Sequence, residues 1–114
     1  MFFKSIYIMK ILFVCNQGRN RSKTAAYLFK DRFETKYAGL FSENPVDIQA
    51  LEWADLVVVM EDFQREEIGK RFPSIYLKKK IICFNIKDFY NFNDFELIKL
   101  LESKMEELVK PILE

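Results

Sequence analysis

The sequence predicts an α/β fold: a three-layer, doubly wound sandwich around a central parallel sheet of about four strands. Two observations carry it. Short continuous apolar runs at 11–14 and 56–60, the second almost purely β-branched, read as strands buried on both faces. Between such runs the apolar period changes from about two to about 3.6, the mark of helices. Strands that alternate with helices imply βαβ crossovers, hence a parallel sheet with helices on both sides.

Each element has its own signal. The first strand is 11–14, led by Tyr7 and Ile8. A helix begins near Ser22 and places Ala25, Leu28, Phe29 and Phe33 on one face. A short strand candidate at 37–40 contains Gly39. Asn44-Pro45-Val46-Asp47 reads as a helix start, Asn44 at the cap and Pro45 at the first helical position, running through Ile48 and Leu51 to Trp53. After the 56–60 strand, Glu61 and Asp62 put negative charge on the first turn of a third helix that ends before Phe72-Pro73. Lys78, Lys79 and Lys80 form a solvated lead-in to a further strand at 81–86. Asn93-x-x-Glu96 caps the last helix, whose stripe of Leu97, Leu101, Met105 and Leu108 continues to Pro111.

Composition narrows the function. At 114 residues, with no Pro-, Gly- or Ser-rich stretch to divide it, 1–114 reads as one domain. Half of the residues are apolar and twelve are Phe, enough for a core without disulfides or a structural metal. The formal charge of +1, with acids and bases mixed, supplies no field to hold nucleic acid or an anionic membrane. Segment 1–9 is too short for a signal peptide, and no segment approaches the roughly twenty apolar residues that span a bilayer. Met9 offers an alternative start. Two well-separated cysteines, Cys15 and Cys83, lack zinc or redox-pair spacing and fit a reducing cytoplasm. The chain has no histidine, which removes the commonest general base and metal ligand. No cofactor is implied, and nothing specifies an oligomeric state.

In a doubly wound sheet, ligands bind beyond the carboxyl ends of the strands where strand order reverses, so the loop after the first strand is the place for chemistry. That loop reads Cys15-Asn16-Gln17-Gly18-Arg19-Asn20-Arg21-Ser22 and runs into a helix. Backbone N–H groups of such a loop point inward and the helix dipole adds positive potential, which suits phosphate. The same field favours thiolate over thiol, so Cys15 is expected to be a nucleophile without a histidine base. Arg21 offers two parallel donors to phosphate oxygens. Gly18 stands where a tight wrap demands positive φ. The Ser22 hydroxyl is placed to bond the Cys15 sulfur and to start the helix. Asn16, Gln17, Gly18, Arg19 and Asn20 complete the expected cradle, with the charge of Arg19 at the rim selecting anionic substrates.

The segment from Phe13 through Cys15, Arg21 and Ser22 to Ala26 resembles the low-molecular-weight protein tyrosine phosphatases, and the chain looks like their short bacterial and archaeal branch. The likeness extends to Ala38-Gly39-Leu40, to 53–60 and to 81–101. It implies a flavodoxin-like sheet with strand order 2-1-3-4, a phosphocysteine intermediate on Cys15 that water hydrolyses, and a phosphorylated partner: a phosphotyrosine protein or a small aryl phosphate. It also implies an acid for the leaving oxygen, which the family places as Asp-Pro after the last strand. Asp88 is the candidate, with Phe89, Tyr90 and Phe92 expected to give it a partly dry wall, and Asp94 is the rival. Tyr90 is also a candidate for lining the substrate pocket. Phe89 replaces the family's proline, Gly18 a frequent asparagine, Asn20 a second cysteine and Lys23 a proline.

Two other functions fit the same loop. Arsenate reduction requires a further cysteine, and only Cys83, in an apolar run, is on offer. A module that binds a phosphorylated partner without hydrolysing it fits the absence of proline after Asp88.

Overall fold

The computed structural model describes residues 8–43 and 45–113. Its elements in chain order are β1 (Lys10–Cys15), α1 (Arg21–Phe29), β2 (Glu34–Gly39), α2 (Ile48–Trp53), β3 (Leu56–Val59), α3 (Asp62–Arg71), α4 (Pro73–Lys78), β4 (Ile81–Cys83) and α5 (Phe95–Lys104). A π-turn, Met105–Val109, joins α5 to α6 (Lys110–Leu113). The four strands are all parallel, as the sequence predicts, and lie in the order β2-β1-β3-β4 that the family resemblance implies.

Side-chain alternation along β1 sorts the core into two layers. Ile11, Phe13 and Cys15 face one side with Leu56, Val58 and Met60, and meet Ala25 and Phe29 of α1 and Leu97 and Leu101 of α5. Leu12 and Val14 face the other side with Val57 and Val59, under Leu51 of α2, Ile68 of α3 and Ile75 of α4. Phe13, Phe29 and Phe84 are fully buried, each worth roughly 1.5–3 kcal/mol relative to exposure.

Four local expectations change. The second helix starts at Ile48 with Asp47 as its cap, its carboxylate accepting from Ala50 N–H at 2.8 Å; Pro45 instead bridges Gly39, and Asn44 lies outside the described residues, as does Tyr7. An Asx cap three residues upstream of a free N–H wins over the proline signal. Lys79 is not simply solvated: its ammonium donates to the Ala54 carbonyl and ties the lysine run to the end of α2. The last helix is capped by Asp94 rather than Asn93, the Asp94 carboxylate accepting from Glu96 N–H at 2.8 Å. Its buried stripe ends on Val109, with Leu108 only partly buried, because the π-turn shifts the register. Pro111 carries no N–H and its ring crowds the carbonyl four residues back, so the helix widens just before it.

Candidate active site

β1 ends on Cys15, which is almost completely buried on the α1/α5 face. The β1–β2 ladder then continues past the strand: Leu40 N–H donates to the Cys15 carbonyl at 3.0 Å and Phe41 N–H to the Asn16 carbonyl at 2.9 Å. Gly18 turns the chain back with φ of +65°, in the left-handed region expected for it. The loop there lies directly on the end of β2. A Cβ on Gly39 would stand 2.4 Å from the Gln17 carbonyl carbon and 2.5 Å from the Gly18 nitrogen, so Gly39 is as necessary to the wrap as Gly18. In the sequence Gly39 reads as a weakness in a strand and as part of the family likeness, with no link to the loop.

The loop closes on the sulfur. Gly18 N–H donates to Cys15 Sγ at 3.1 Å, and Ser22 Oγ lies 3.0 Å from the same atom. The helix begins at Arg21, one residue before the expected Ser22, with Asn20 at the cap position and its carbonyl accepting from Thr24 N–H at 2.9 Å. Gln17 and Arg19 are exposed, while Asn16 and Asn20 are half-buried.

Arg21 is 1% exposed. Its Nη1 donates to Glu61 Oε2 at 2.9 Å and to the Ile86 carbonyl at 2.6 Å. Its Nε is buried without a hydrogen-bond acceptor among the described residues; Asp88 Oδ1 is 3.6 Å away, an ion pair but too far for a hydrogen bond. A buried guanidinium N–H in this state is costly and is a ready donor to an anion.

The segment after β4 meets the expectation only in part. It brings Asp88 to Arg21, but the Asp88 side chain is 52% exposed and Phe89 is 76% exposed, so the partly dry wall does not form. Phe92 turns away to pack edge-on against Tyr27 at 5.5 Å, beneath the Lys23 ammonium at 4.7 Å. Aromatic pairing and a cation over the ring hold Phe92 there. Tyr90 is half-buried against the core beside Phe89. Asp94 is occupied by its cap and, among the described residues, pairs with neither Arg21 nor Cys15.

Two residues outside the motif join the site. Glu61 receives Arg21, and Gln64, with no exposed surface, links the start of α3 to Asn16 through a 3.0 Å bond from its Nε2 to Asn16 Oδ1. The spacing Glu61-x-x-Gln64 matches a helix-start box, which explains the helix but conceals the second duty of both side chains. Cys83, at the end of β4, is separated from β1 by β3. Burial pushes its thiol up from the ordinary value, and its Sγ lies 3.6 Å from Asn85 Oδ1.

A groove of about 430 Å3 opens beside the loop, lined by Gln17, Gly18, Arg19, Lys23, Tyr37, Ser42 and Glu43. A larger one of about 640 Å3, at the β2 side between Tyr27, Lys36 and Asp47, includes no residue of 15–22 and lies apart from this chemistry. Among the described residues no three acidic, Cys or His side chains gather as a metal site would need, and no helix is long and apolar enough to cross a membrane.

No family model and no curated protein matches the sequence. Solved structures do match the fold. The YwlE arginine phosphatase from Geobacillus stearothermophilus aligns with a TM-score of 0.73 at 20% identity, covering 92% of this chain and 93% of its own. The Erwinia amylovora tyrosine phosphatase AmsI aligns at 0.75 and 19%, covering 96% and 97%. A low-molecular-weight protein tyrosine phosphatase from T. tengcongensis aligns at 0.71 and 20%, covering 91% and 97%. The chain has the fold of the low-molecular-weight protein tyrosine phosphatases, with a cysteine-to-arginine loop at the carboxyl end of its first strand.

Proposed function

We propose that the chain is a phosphomonoester hydrolase, phosphotyrosine phosphatase-like, working through a phosphocysteine on Cys15. One observation carries the reading: the Cys15 sulfur is held by Gly18 N–H and Ser22 Oγ at the mouth of a helix-capped loop, beside a buried arginine with an unmatched N–H. Glu61 and Ile86 fix Nη1 of Arg21, which leaves the Nε and Nη2 edge for two phosphoryl oxygens. The backbone N–H groups of Asn16 to Asn20 would take the remaining oxygen charge.

In the first step the Cys15 thiolate forms a bond to phosphorus while the ester P–O bond breaks, and the leaving oxygen takes a proton from Asp88. In the second, Asp88 accepts a proton from a water that attacks phosphocysteine, releasing inorganic phosphate and restoring the thiolate. Ser22 stabilises the departing sulfur by hydrogen bonding. The substrate is a phosphotyrosine protein or small aryl phosphate. Arg19 and Lys23, neither ion-paired among the described residues, outnumber Glu43 along the adjacent groove, which favours acidic flanking groups over the cationic carrier of a phosphoarginine. A cytoplasmic setting suits a nucleophilic thiol.

The exposure of Asp88 favours a second reading, a module that binds phosphorylated partners without turnover. Arsenate reduction gains nothing from the geometry: with β3 between them, Cys15 and Cys83 stand about 10 Å apart, beyond disulfide reach. The test is p-nitrophenyl phosphate hydrolysis at about pH 5 to 7 without added metal, for wild type and Cys15→Ser. Turnover that falls about a thousandfold or more in the variant supports the hydrolase. Phosphate binding with wild-type turnover no better than Cys15→Ser supports the binding module.

A further inference from the structure

One side chain of the loop is tied to α3. Asn16 follows the nucleophile, is half-buried, and among the described residues makes a single side-chain bond, from Gln64 Nε2 to its Oδ1 at 3.0 Å. The orientation of that bond is imposed from outside the loop. Gln64 Oε1 accepts from two backbone donors, Met60 N–H at 2.8 Å and Glu61 N–H at 3.0 Å. Two N–H groups converging on one atom require an oxygen there, so the Gln64 amide cannot flip and its nitrogen must face Asn16. The Asn16 amide is fixed in turn, oxygen toward α3. Its Nδ2 has no acceptor among the described residues.

We infer that Gln64 is a positioning residue that holds the Asn16 amide with its NH2 toward the bound substrate, where it recognises an acceptor on the group that carries the phosphate. Backbone N–H groups and Arg21 already serve the phosphoryl oxygens. The Asn16 donor therefore adds selectivity for carriers with a carbonyl, hydroxyl or carboxylate near the ester, such as a peptide, over a bare aryl phosphate. The inference rests on the loop being a phosphate site.

Gln64→Glu isolates the effect. A glutamate still accepts both backbone N–H groups, but it offers Asn16 an oxygen, and the Asn16 amide rotates to donate to it, turning its own oxygen outward. Wild type, Asn16→Ala, Gln64→Glu and the double variant are compared by kcat and KM on a phosphotyrosine peptide and on p-nitrophenyl phosphate, by inhibition with inorganic phosphate, and by Tm. Expected is a loss of about tenfold in kcat/KM for the peptide in each single variant, carried by KM, with no further loss in the double variant and phosphate inhibition unchanged. A peptide-to-aryl ratio equal to wild type in Asn16→Ala overturns the inference. So does a Gln64→Glu effect that persists in the Asn16→Ala background or falls equally on inorganic phosphate, the signature of a structural role. If wild type turns over neither ester, the hydrolase reading fails separately, and the same ratio is read from Kd values of the peptide and of inorganic phosphate.

Discussion

The two loops that meet at Arg21 are built in opposite ways. The 15–22 loop is fixed by its own residues and its nearest strand: two ladder bonds continue past β1, two glycines lie against each other, and the sulfur is held from both sides. The 84–94 loop carries two asparagines in the left-handed region, Asn85 at φ 55° and Asn93 at φ 66°, and exposes Asp88 and Phe89. It is pinned at its far end by Asn93 N–H donating to Thr24 Oγ1 at 2.8 Å and by the Asp94 cap. A cradle for an anion must be organised before the anion arrives, because reorganising dipoles during reaction costs rate. An acid needs only to reach the leaving oxygen, and its loop can tighten on the substrate.

Several substitutions would break or sharpen this contrast. Within the 84–94 loop the largest effect on kcat is expected at Asp88: Asp88→Asn should lower kcat on p-nitrophenyl phosphate by about 100-fold or more while phosphate affinity is preserved. Unchanged turnover would remove the 84–94 loop from the chemistry. Gly39→Ala should displace the rigid loop, abolish phosphate binding, and destabilise the fold by about 1–3 kcal/mol in urea titration. An active, stable Gly39→Ala protein would mean that the loop is no tighter than its partner. Asp94→Ala should cost about 1 kcal/mol of stability through the lost cap, with turnover largely retained; a catalytic loss as large as that of Asp88→Asn would exchange their roles. The smallest effect is at Cys83. Its raised folded-state value means less thiolate at any given pH near neutral, so in Cys15→Ser protein iodoacetamide should label Cys83 more slowly in the folded than in the urea-unfolded state, and the gap should close as pH rises above the ordinary thiol range. Equal rates would show that the end of β4 is open to solvent.

The same contrast explains what was legible beforehand. Cys15, Gly18, Arg21 and Ser22 are near neighbours in sequence, so their spacing encodes their geometry: a strand end, a positive-φ turn and a helix start leave few ways to close the loop. Asp88 was placed by analogy with an Asp-Pro whose proline this chain lacks, and the dry wall failed because Phe92 found Tyr27 and Lys23 instead. Glu61 was visible only as negative charge at a helix start and Gln64 not at all, since nothing local to 61–64 reveals the arginine and asparagine that face them.

Local periodicity and capping determined the parallel sheet, the helices on its two faces and the anion loop, because those follow from backbone hydrogen bonding and from burial on two faces. Tertiary structure alone decided that Gly39 meets Gln17, that Glu61 and Ile86 hold Arg21, and that Gln64 orients Asn16. These pairings join residues more than twenty positions apart, and the register of one element against another, which no local pattern carries, brings them within hydrogen-bonding distance.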